Sequence, residues 1–453
     1  IPLKENKMPF QVSPGVSVVE TDLTTIVPTI STTAAGFVGA FAWGPANEVK
    51  TISSENELRE IYGDPDEDNF TYWFSAANFL RYGSNLQVVR AVKSDAKNAG
   101  LPNHGGSGGI IGYPLSEKLD AITGDIYAAD KGVFASRYPG VIGNNIGIAV
   151  LDSAEAGVTL ATWGANGVFG SYFRENPDTS ARATERTGIT TGFHDEIHVI
   201  VYDSTGYFTG TKDTPLEIYE GLSKATDAKR DDGTSNHYRT AINNESRYVV
   251  ALRGTSSAAH PGVSGSAAPV TTIQSTYGGD ASASFGDFFG GLSGGLSLTG
   301  GTAGVDTASI NTYYTEAFAN AETQDVSLLI AGPSDNTTRN TIVDIAEARK
   351  DCVAFVSPDL ADVSSGTESE KADAIIGARN EITTKSSYAV MDSGWKYQYD
   401  PYNDKFRFVP LNADIAGLCA KTDQIAEPWF SPAGFNRGAI RNVIKLAYSP
   451  NKT

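Results

Sequence analysis

Only two cysteines occur in 453 residues, Cys352 in KDCVAFVSP and Cys419 in IAGLCAKTD. Apolar surroundings of that kind suit buried free thiols in a reducing compartment and exclude a disulfide framework. No stretch reaches the ~18 apolar residues of a membrane-spanning helix. Nor is there a basic amphipathic helix to bind an anionic bilayer, so no direct membrane insertion is expected. The opening IPLKENK, ahead of Met8, has neither an apolar h-region nor a cleavage site. It does not read as a signal peptide, and Met8 is the expected native start. Positive charge is in short supply as well: 35 Lys and Arg stand against 53 Asp and Glu, for a formal charge of −18 with no long acidic run. Such a chain repels phosphate backbones, which argues against nucleic acid as a direct partner.

The signatures of chemistry are also missing. No G-x-x-x-x-G-K-[ST] phosphate loop exists, and GGSGGIIG at 105–112 misses the dinucleotide spacing. His194-Asp195-Glu196-Ile197-His198 has Asp where a zincin helix needs Glu, and the apolar, β-branched residues that follow favour a strand. On a strand, histidines four apart lie ~13 Å from each other, too far to share a metal at ~2.1 Å. Gly291-Leu292-Ser293-Gly294-Gly295 matches a nucleophile elbow, yet the last histidine, His260, precedes it, so a glycine-rich turn is the better reading. Gly105–Gly109 fits the same pattern with no strand before it. No catalytic residue, cofactor or metal ligand is therefore predicted.

What is present is a pattern of strands and helices. Residues 9–30 are β-branched and interrupted by proline, as in an extended arm with a short strand near Val16–Val19. Thr33 to Trp43 suits a buried strand, Ser54-Glu55-Asn56-Glu57 a capped helix start, Phe70 to Tyr82 a helix and Leu86 to Val92 a strand. From Lys93 to Ala129 the pattern decays into glycine, asparagine and serine. Short β-like runs follow at Asn145–Leu151, Glu196–Tyr202 and Arg247–Leu252, then long Gly/Ser/Ala/Thr loops over 254–304. Alternation returns afterwards: helix Asn311–Glu322, strand Val326–Ala331, helix Asn336–Lys350, strand Cys352–Ser357, helix Lys371–Thr384, strand Tyr388–Asp392, then helices Ala413–Thr422 and Gly434–Leu446. The predicted fold is a multi-domain chain: an α/β core with a mostly parallel sheet, discontinuous in sequence, carrying an inserted β-rich (α+β) domain. Its expected parts are an arm at 1–30, a core at 31–92 plus 305–448, and an insertion at 93–304. The insertion divides into 97–130 and 131–304.

Several runs carry a resemblance. WKYQYDPYND (395–404), VPLNADIAGLCAKTD (409–423) and PWFSPAGFNRGAIRNVIKLA (428–447) are similar to contractile tail sheath proteins of T-even-like myophages. So are SPGVSVVET (13–21), FAWGPANEVK (41–50), NFLRYGSNLQVVRAV (78–92), DVSLLIAG (325–332) and EARKDCVAFVSP (347–358). LSGG (292–295) and, more weakly, RYPGVIGNNIGIAV (137–150) extend the match into the insertion. Ten-residue runs in one order outweigh any single short motif. Against the family pattern, the outermost insertion is shortened to 97–130. The family's carboxy-terminal domain is expected beyond the point where this chain stops.

The resemblance implies a structural subunit, not an enzyme. Such subunits form hexameric rings stacked around a tail tube. They contract without nucleotide hydrolysis by rigid-body re-docking, and so drive the tube through the host envelope. The implied partners are other sheath subunits, the tail tube protein, and baseplate and tail terminator proteins. The implied location is the virion tail, with assembly in the host cytoplasm. It also implies that the arm residues Val12, Val16, Val18 and Glu20 are donated as a strand to a neighbour; on the residues alone, a strand in the subunit's own sheet is equally open. A receptor-binding, adhesin-like surface protein is the alternative function.

Overall fold

The structure is a computed structural model of the chain. It describes residues 33–93, 96–101, 109–112, 134–164, 167–188, 190–251, 289, 292–302, 307–308, 310–435 and 437–449. The amino-terminal section supplies β1 (Ala35–Gly39), β2 (Val49–Ile52), α1 (Glu55–Tyr62), α2 (Phe70–Leu80) and β3 (Leu86–Arg90). Next come β4 (Lys97–Gly100), β5 (Gly109–Gly112), β6 (Phe134–Ser136), β7 (Ile146–Asp152), α3 (Ala181–Thr187), β8 (Glu196–Asp203), β9 (Thr214–Ser223), α4 (Tyr238–Glu245), β10 (Val249–Ala251) and β11 (Leu296–Ser297). The carboxyl section holds α5 (Ile310–Phe318), β12 (Leu328–Ile330), α6 (Asn336–Arg349), β13 (Val353–Val356), α7 (Leu360–Ser364), α8 (Glu368–Glu381) and β14 (Ala389–Met391). It ends with β15 (Trp395–Asp400), β16 (Lys405–Pro410), α9 (Asn412–Ile425) and β17 (Lys445–Leu446).

Six strands from both ends of the chain form one sheet in the order β14-β13-β12-β1-β3-β2, parallel except for β2 on β3. All five residues of β1, AGFVG, are buried. That is why its sequence is an unbroken apolar run with no alternation: both faces are covered. Gly36 faces α5, where an added Cβ would lie 3.0 Å from a Phe318 ring carbon. On the opposite face Phe37 lies towards α2, sharing with Ser75 the space beside Gly332. Helices α5 and α6 thus cover one face, and α2 and α9 the other. Tyr314 on α5 ties the centre of the sheet, donating to the Ile330 carbonyl and accepting from Val38 N at 3.1 Å. Helix α1 starts where the Ser-Glu-Asn-Glu pattern places it, with Ser54 Oγ accepting from Glu57 N at 3.2 Å. The returning Glu57 carboxylate takes the N–H of Ser53, at 2.8 Å, so the reciprocal bond is shifted by one residue.

The middle of the chain builds an antiparallel sheet, β11-β7-β8-β9, with smaller pairs β6–β10 and β4–β5. Both of its faces are buried, and the period of two sorts them. Ile197, Val199 and Val201 of β8 join one apolar cluster, and Ile200 and Tyr202 the other. Strands β2, β4, β5, β6, β9, β15 and β16 fall where no strand is predicted, and β11 lies inside the stretch read as long loops. The helix expected over Gly434–Leu446 does not form. Gly434 (φ 145°) and Asn442 (φ 51°) sit in the left-handed half of backbone space, which breaks a helix. Main-chain bonds from Ile444 N to Tyr397 O (2.9 Å) and Ala447 N to Trp395 O (2.7 Å) instead draw the segment into β17, beside β15.

Candidate functional site

The places where chemistry could have resided are filled by structural contacts. His198 does lie on β8, but His194 precedes the strand, in a turn at φ 57°, which corrects the expectation that one strand holds both. The turn arises because Asp195 points inward, accepting from Ser180 N (2.9 Å), Ser180 Oγ (2.7 Å) and Ser223 Oγ (2.7 Å). His198 stacks on Phe173 at 4.6 Å. It bonds the Glu175 carbonyl through Nε2 (2.8 Å) and accepts from Gly221 N through Nδ1 (3.0 Å). Burial holds it below the usual histidine range. Ser293 lies in a turn, its Oγ 2.9 Å from Glu155 Oε1. Among the described residues no group of three His, Cys, Asp or Glu could hold a metal. Cys352 is buried and Cys419 partly so; burial pushes both thiols up, Cys352 to about 11. Neither is an activated nucleophile.

The carboxyl ends of parallel strands, where α/β folds usually place ligands, are closed by α9. Asn412 donates to Gly332 O (2.8 Å), accepts from Gly332 N (3.2 Å), and bonds Ser357 Oγ through its own N–H (3.2 Å). Ser357 in turn donates to Asp392 at 2.7 Å.

The most elaborated surface is built on the β15–β16 hairpin, and it is inside out. Most of the residues that alternate inward are polar: Lys396, Gln398 and Asp400 on β15 and Arg407 on β16 are all buried, with Val409, opposite Lys396, the apolar exception. Each polar residue has a partner waiting. Lys396 Nζ meets Asp414 of α9 at 2.8 Å, and Asn78 of α2 donates to Gln398 at 3.0 Å. Asp400 accepts from Arg407 Nε at 2.8 Å, and from Tyr402 N and Asn403 N in the hairpin turn. Burial drives Lys396 down and Asp414 up, and their contact opposes both shifts. Tyr82 Oη also donates to Asp414 (3.0 Å) while accepting from Arg441 N (2.6 Å), and Lys396 donates to Arg441 O (3.0 Å). The core therefore grips the following segment by its backbone.

The outward face carries Tyr397, Tyr399, Phe406 and Phe408. Their ring centroids lie 5.6 Å (Tyr397–Phe406), 4.7 Å (Tyr397–Phe408) and 5.3 Å (Tyr399–Phe406) apart. Lys445 of β17 lies over the Tyr397 ring at 5.1 Å. Beyond the hairpin Trp429 is 80% exposed and Phe435 fully so. An aromatic surface held out by a buried polar lining suits contact with another macromolecule, not the capture of a substrate. The arm residues Val12, Val16, Val18 and Glu20 lie outside the described residues. The hairpin's role was missed in the sequence although its alternation is plain in WKYQYD, because aromatics at every second position ordinarily mark the inner face.

Fold and surface together define a structural α/β protein whose working part is a presented face. Comparison with known proteins names the family. Residues 308–453 match the phage tail sheath protein central domain, and residues 32–91 the N-terminal region of tail sheath protein Gp18 domain III. The chain is 30% identical to the tail sheath protein of Enterobacteria phage T4 over 524 aligned residues, covering 96% of this chain and 76% of that one. It is 26% identical to the tail sheath protein of Vibrio phage KVP40, with 96% and 77% coverage. The chain belongs to the tail sheath protein family: it is a structural protein of contractile phage tails, located in the virion tail, and not an enzyme. Solved sheath tail proteins from Listeria innocua (13% identity, TM-score 0.41, 86% of this chain and 56% of that one) and Desulfitobacterium hafniense (10%, 0.40, 86% and 59%) are more distant and add nothing to the fold described above.

Proposed function

We propose that the chain polymerises as stacked hexameric rings around a tail tube and contracts without nucleotide hydrolysis, driving the tube through the host envelope. The observation that carries this reading is the match to a curated tail sheath protein along 96% of the chain. The work would come from re-docking of rigid subunits between two packings. A rigid subunit accords with a sheet closed on both faces and a hairpin locked by buried ion pairs. The partners would be other subunits, the tail tube protein, and baseplate and tail terminator proteins, with assembly in the host cytoplasm. The arm around Val12, Val16, Val18 and Glu20 would be donated as a strand to a neighbour. Backbone bonds of that kind persist while side-chain surfaces slide.

We divide the chain into an arm (1–30), a core (31–92 with 305–448) and an insertion (93–304, with 97–130 as its outer part). The large sheet, drawn from both core segments, supports that division. Trp43 qualifies it: its ring packs on Tyr138 at 5.2 Å and Phe208 at 6.1 Å, inside the insertion's apolar cluster. The test is electron microscopy of the protein expressed from its whole reading frame. Tubes of stacked rings are expected. A protein that stays dispersed and binds host cells would favour receptor recognition instead.

A further inference from the structure

Positive charge gathers at one end of this acidic chain. Residues 428–453 contain Arg437, Arg441, Lys445 and Lys452 and no Asp or Glu. Removing those four charges from the total of −18 leaves −22 on the rest. Arginines elsewhere are commonly matched to carboxylates, as Arg59 is to Asp64, Arg81 to Glu55, Arg247 to Glu60 and Arg349 to Asp351. Arg437, Arg441 and Lys445 have no carboxylate at ion-pair distance among the described residues; each lies over an aromatic ring. Arg437 is 4.5 Å from the Phe430 centroid, Arg441 5.1 Å from Tyr82 and Lys445 5.1 Å from Tyr397. All three side chains belong to exposed residues.

These cations are held in place. Arg437 Nε donates to Ser431 O at 2.8 Å, Arg441 donates to the Arg81 carbonyl, and the backbone of Arg441 is gripped by Tyr82 and Lys396. A guanidinium already stacked and bonded loses less freedom when it meets a carboxylate. Trp429 and Ile444, 80% and 57% exposed, supply apolar area beside them. The result is a pre-ordered cationic and aromatic ledge, set against the α2 end of the molecule.

The complementary surface lies on the other side of the sheet. Residues 310–349, which hold α5 and α6, carry six acidic residues and two cations, Arg339 and Arg349. Arg339 is buried and turned towards Asp359 at 2.9 Å, and the Arg349 side chain is buried against Asp351 at 2.8 Å, so neither offers a free charge to the surface. Glu316, Glu322, Asp325 and Asp344 are exposed. Because α5 and α6 cover the face opposite α2, ledge and acidic layer cannot satisfy each other within one copy.

We propose that the ledge of Arg437, Arg441 and Lys445 docks on the acidic α5–α6 layer of a second copy of this chain. A contact between two different faces is heterologous, so every copy keeps one free ledge and one free acidic layer, and the contact repeats into a ring or an open array. This rests on the sheath reading only in taking another copy as the partner. Sedimentation velocity of the 453-residue chain, from ~10 to ~300 μM in ~20 mM and ~500 mM salt, tests it. The sedimentation coefficient is expected to rise with concentration in low salt and stay flat in high salt. R437E/R441E/K445E, and separately E316K/E322K/D344K, should each weaken association at least ~10-fold. An equimolar mixture of the two should restore it, which separates lost charge from lost fold; R437E/K445E, sparing the contact with Tyr82, is the milder variant. Absence of association by the unaltered chain in low salt, undiminished association by the triple variants, or a mixture that fails to recover would each overturn the contact. Tubes seen by microscopy together with any of those results would leave the sheath reading standing.

Discussion

In the six-stranded sheet the interior is hydrocarbon: β1 buries all five of its residues, and Phe37, Phe41, Trp73 and Phe74 are fully enclosed around it. In the β15–β16 hairpin the interior is mostly polar, Lys396, Gln398, Asp400 and Arg407 with Val409 beside them, and Tyr397, Tyr399, Phe406 and Phe408 face out. Hydrocarbon packing is non-directional and tolerates many arrangements of similar volume. A buried ion pair stabilises little in net terms, because desolvation offsets attraction, but it permits one geometry only. The comparison teaches that the sheet supplies stability and the hairpin supplies position, fixing where an aromatic and cationic surface stands relative to the core.

The largest effects break this comparison from either side. Phe37→Ala should cost about 3–5 kcal/mol through lost burial and a cavity, and Lys396→Ala a similar amount by stranding Asp414 unpaired in the interior. Their repair should differ. The double substitution K396M/D414L replaces the pair with hydrocarbon of similar volume and should recover most of the loss in urea denaturation. A double variant no better than K396A would show that the pair stabilises the fold outright, and the two regions would then be alike.

Arg90 sharpens the contrast from inside the core. Its buried guanidinium bonds the carbonyls of Phe41 (2.7 Å), Gly44 (2.7 Å), Ala42 (3.0 Å) and Pro139 (2.8 Å), pinning the loop after β1 to the start of the antiparallel region. Arg90→Met should cost about 2–4 kcal/mol and speed proteolysis between residues 41 and 47. Unchanged proteolysis would mean that the apolar seat of Trp43 alone holds the joint.

A smaller effect appears with pH. Burial pushes the Asp392 carboxyl up to about 7, against the lowering effect of its bonds from Ser357 and Gly394. Between the ordinary carboxyl range and about 7 the folded chain keeps a proton that the unfolded chain has released. Stability from this group is therefore full in acid and is lost as pH rises through about 7. Asp392→Asn should flatten the profile and raise stability by about 1 kcal/mol at slightly alkaline pH. A variant less stable than the parent at every pH would mean that the bonds to Ser357 and Gly394 outweigh the burial.

The legibility of the sequence followed the same divide. β1, α2, β3, α6 and β13 were readable because unbroken apolar runs and helical spacing are local consequences of burial. The two faces of β8 were likewise written in its alternation. The same alternation stands in WKYQYD, but no strand is predicted over 395–410, and the sense of the alternation is not local. Whether Lys396 and Gln398 point in or out depends on Asp414 and Asn78, and the latter lies 320 residues from Gln398. Likewise, the apolar spacing of Ile440, Val443 and Ile444 suggests a helix. Left-handed backbone at Gly434 and Asn442 and an open place beside β15 make it a strand end. Local pattern specifies elements; distant polar partners specify which face is presented.

The smallest expected effect on stability is the most telling for function. Tyr399 and Phe406 lie on the outer face of the hairpin, 38% and 53% exposed, with ring centroids 5.3 Å apart. If they belonged to a folding core, replacing both with serine would cost several kcal/mol, as large-to-small changes in cores do. If the inward polar residues hold the hairpin and these rings serve as a contact surface, the loss is only their mutual packing, about 0.5–1 kcal/mol. Tyr399→Ser with Phe406→Ser should therefore leave the unfolding transition nearly in place. The backbone amides of β15 and β16 should keep their hydrogen-exchange protection, because the ladder from Trp395–Pro410 to Asp400–Lys405 is anchored from within. The same variant should assemble less well than the parent when microscopy of the whole protein is used as the readout. A double variant that unfolds early would place the aromatics in the fold's own core. One that folds and assembles like the parent would leave the outward face without a task, and the division between a stabilising sheet and a positioning hairpin would lose its purpose.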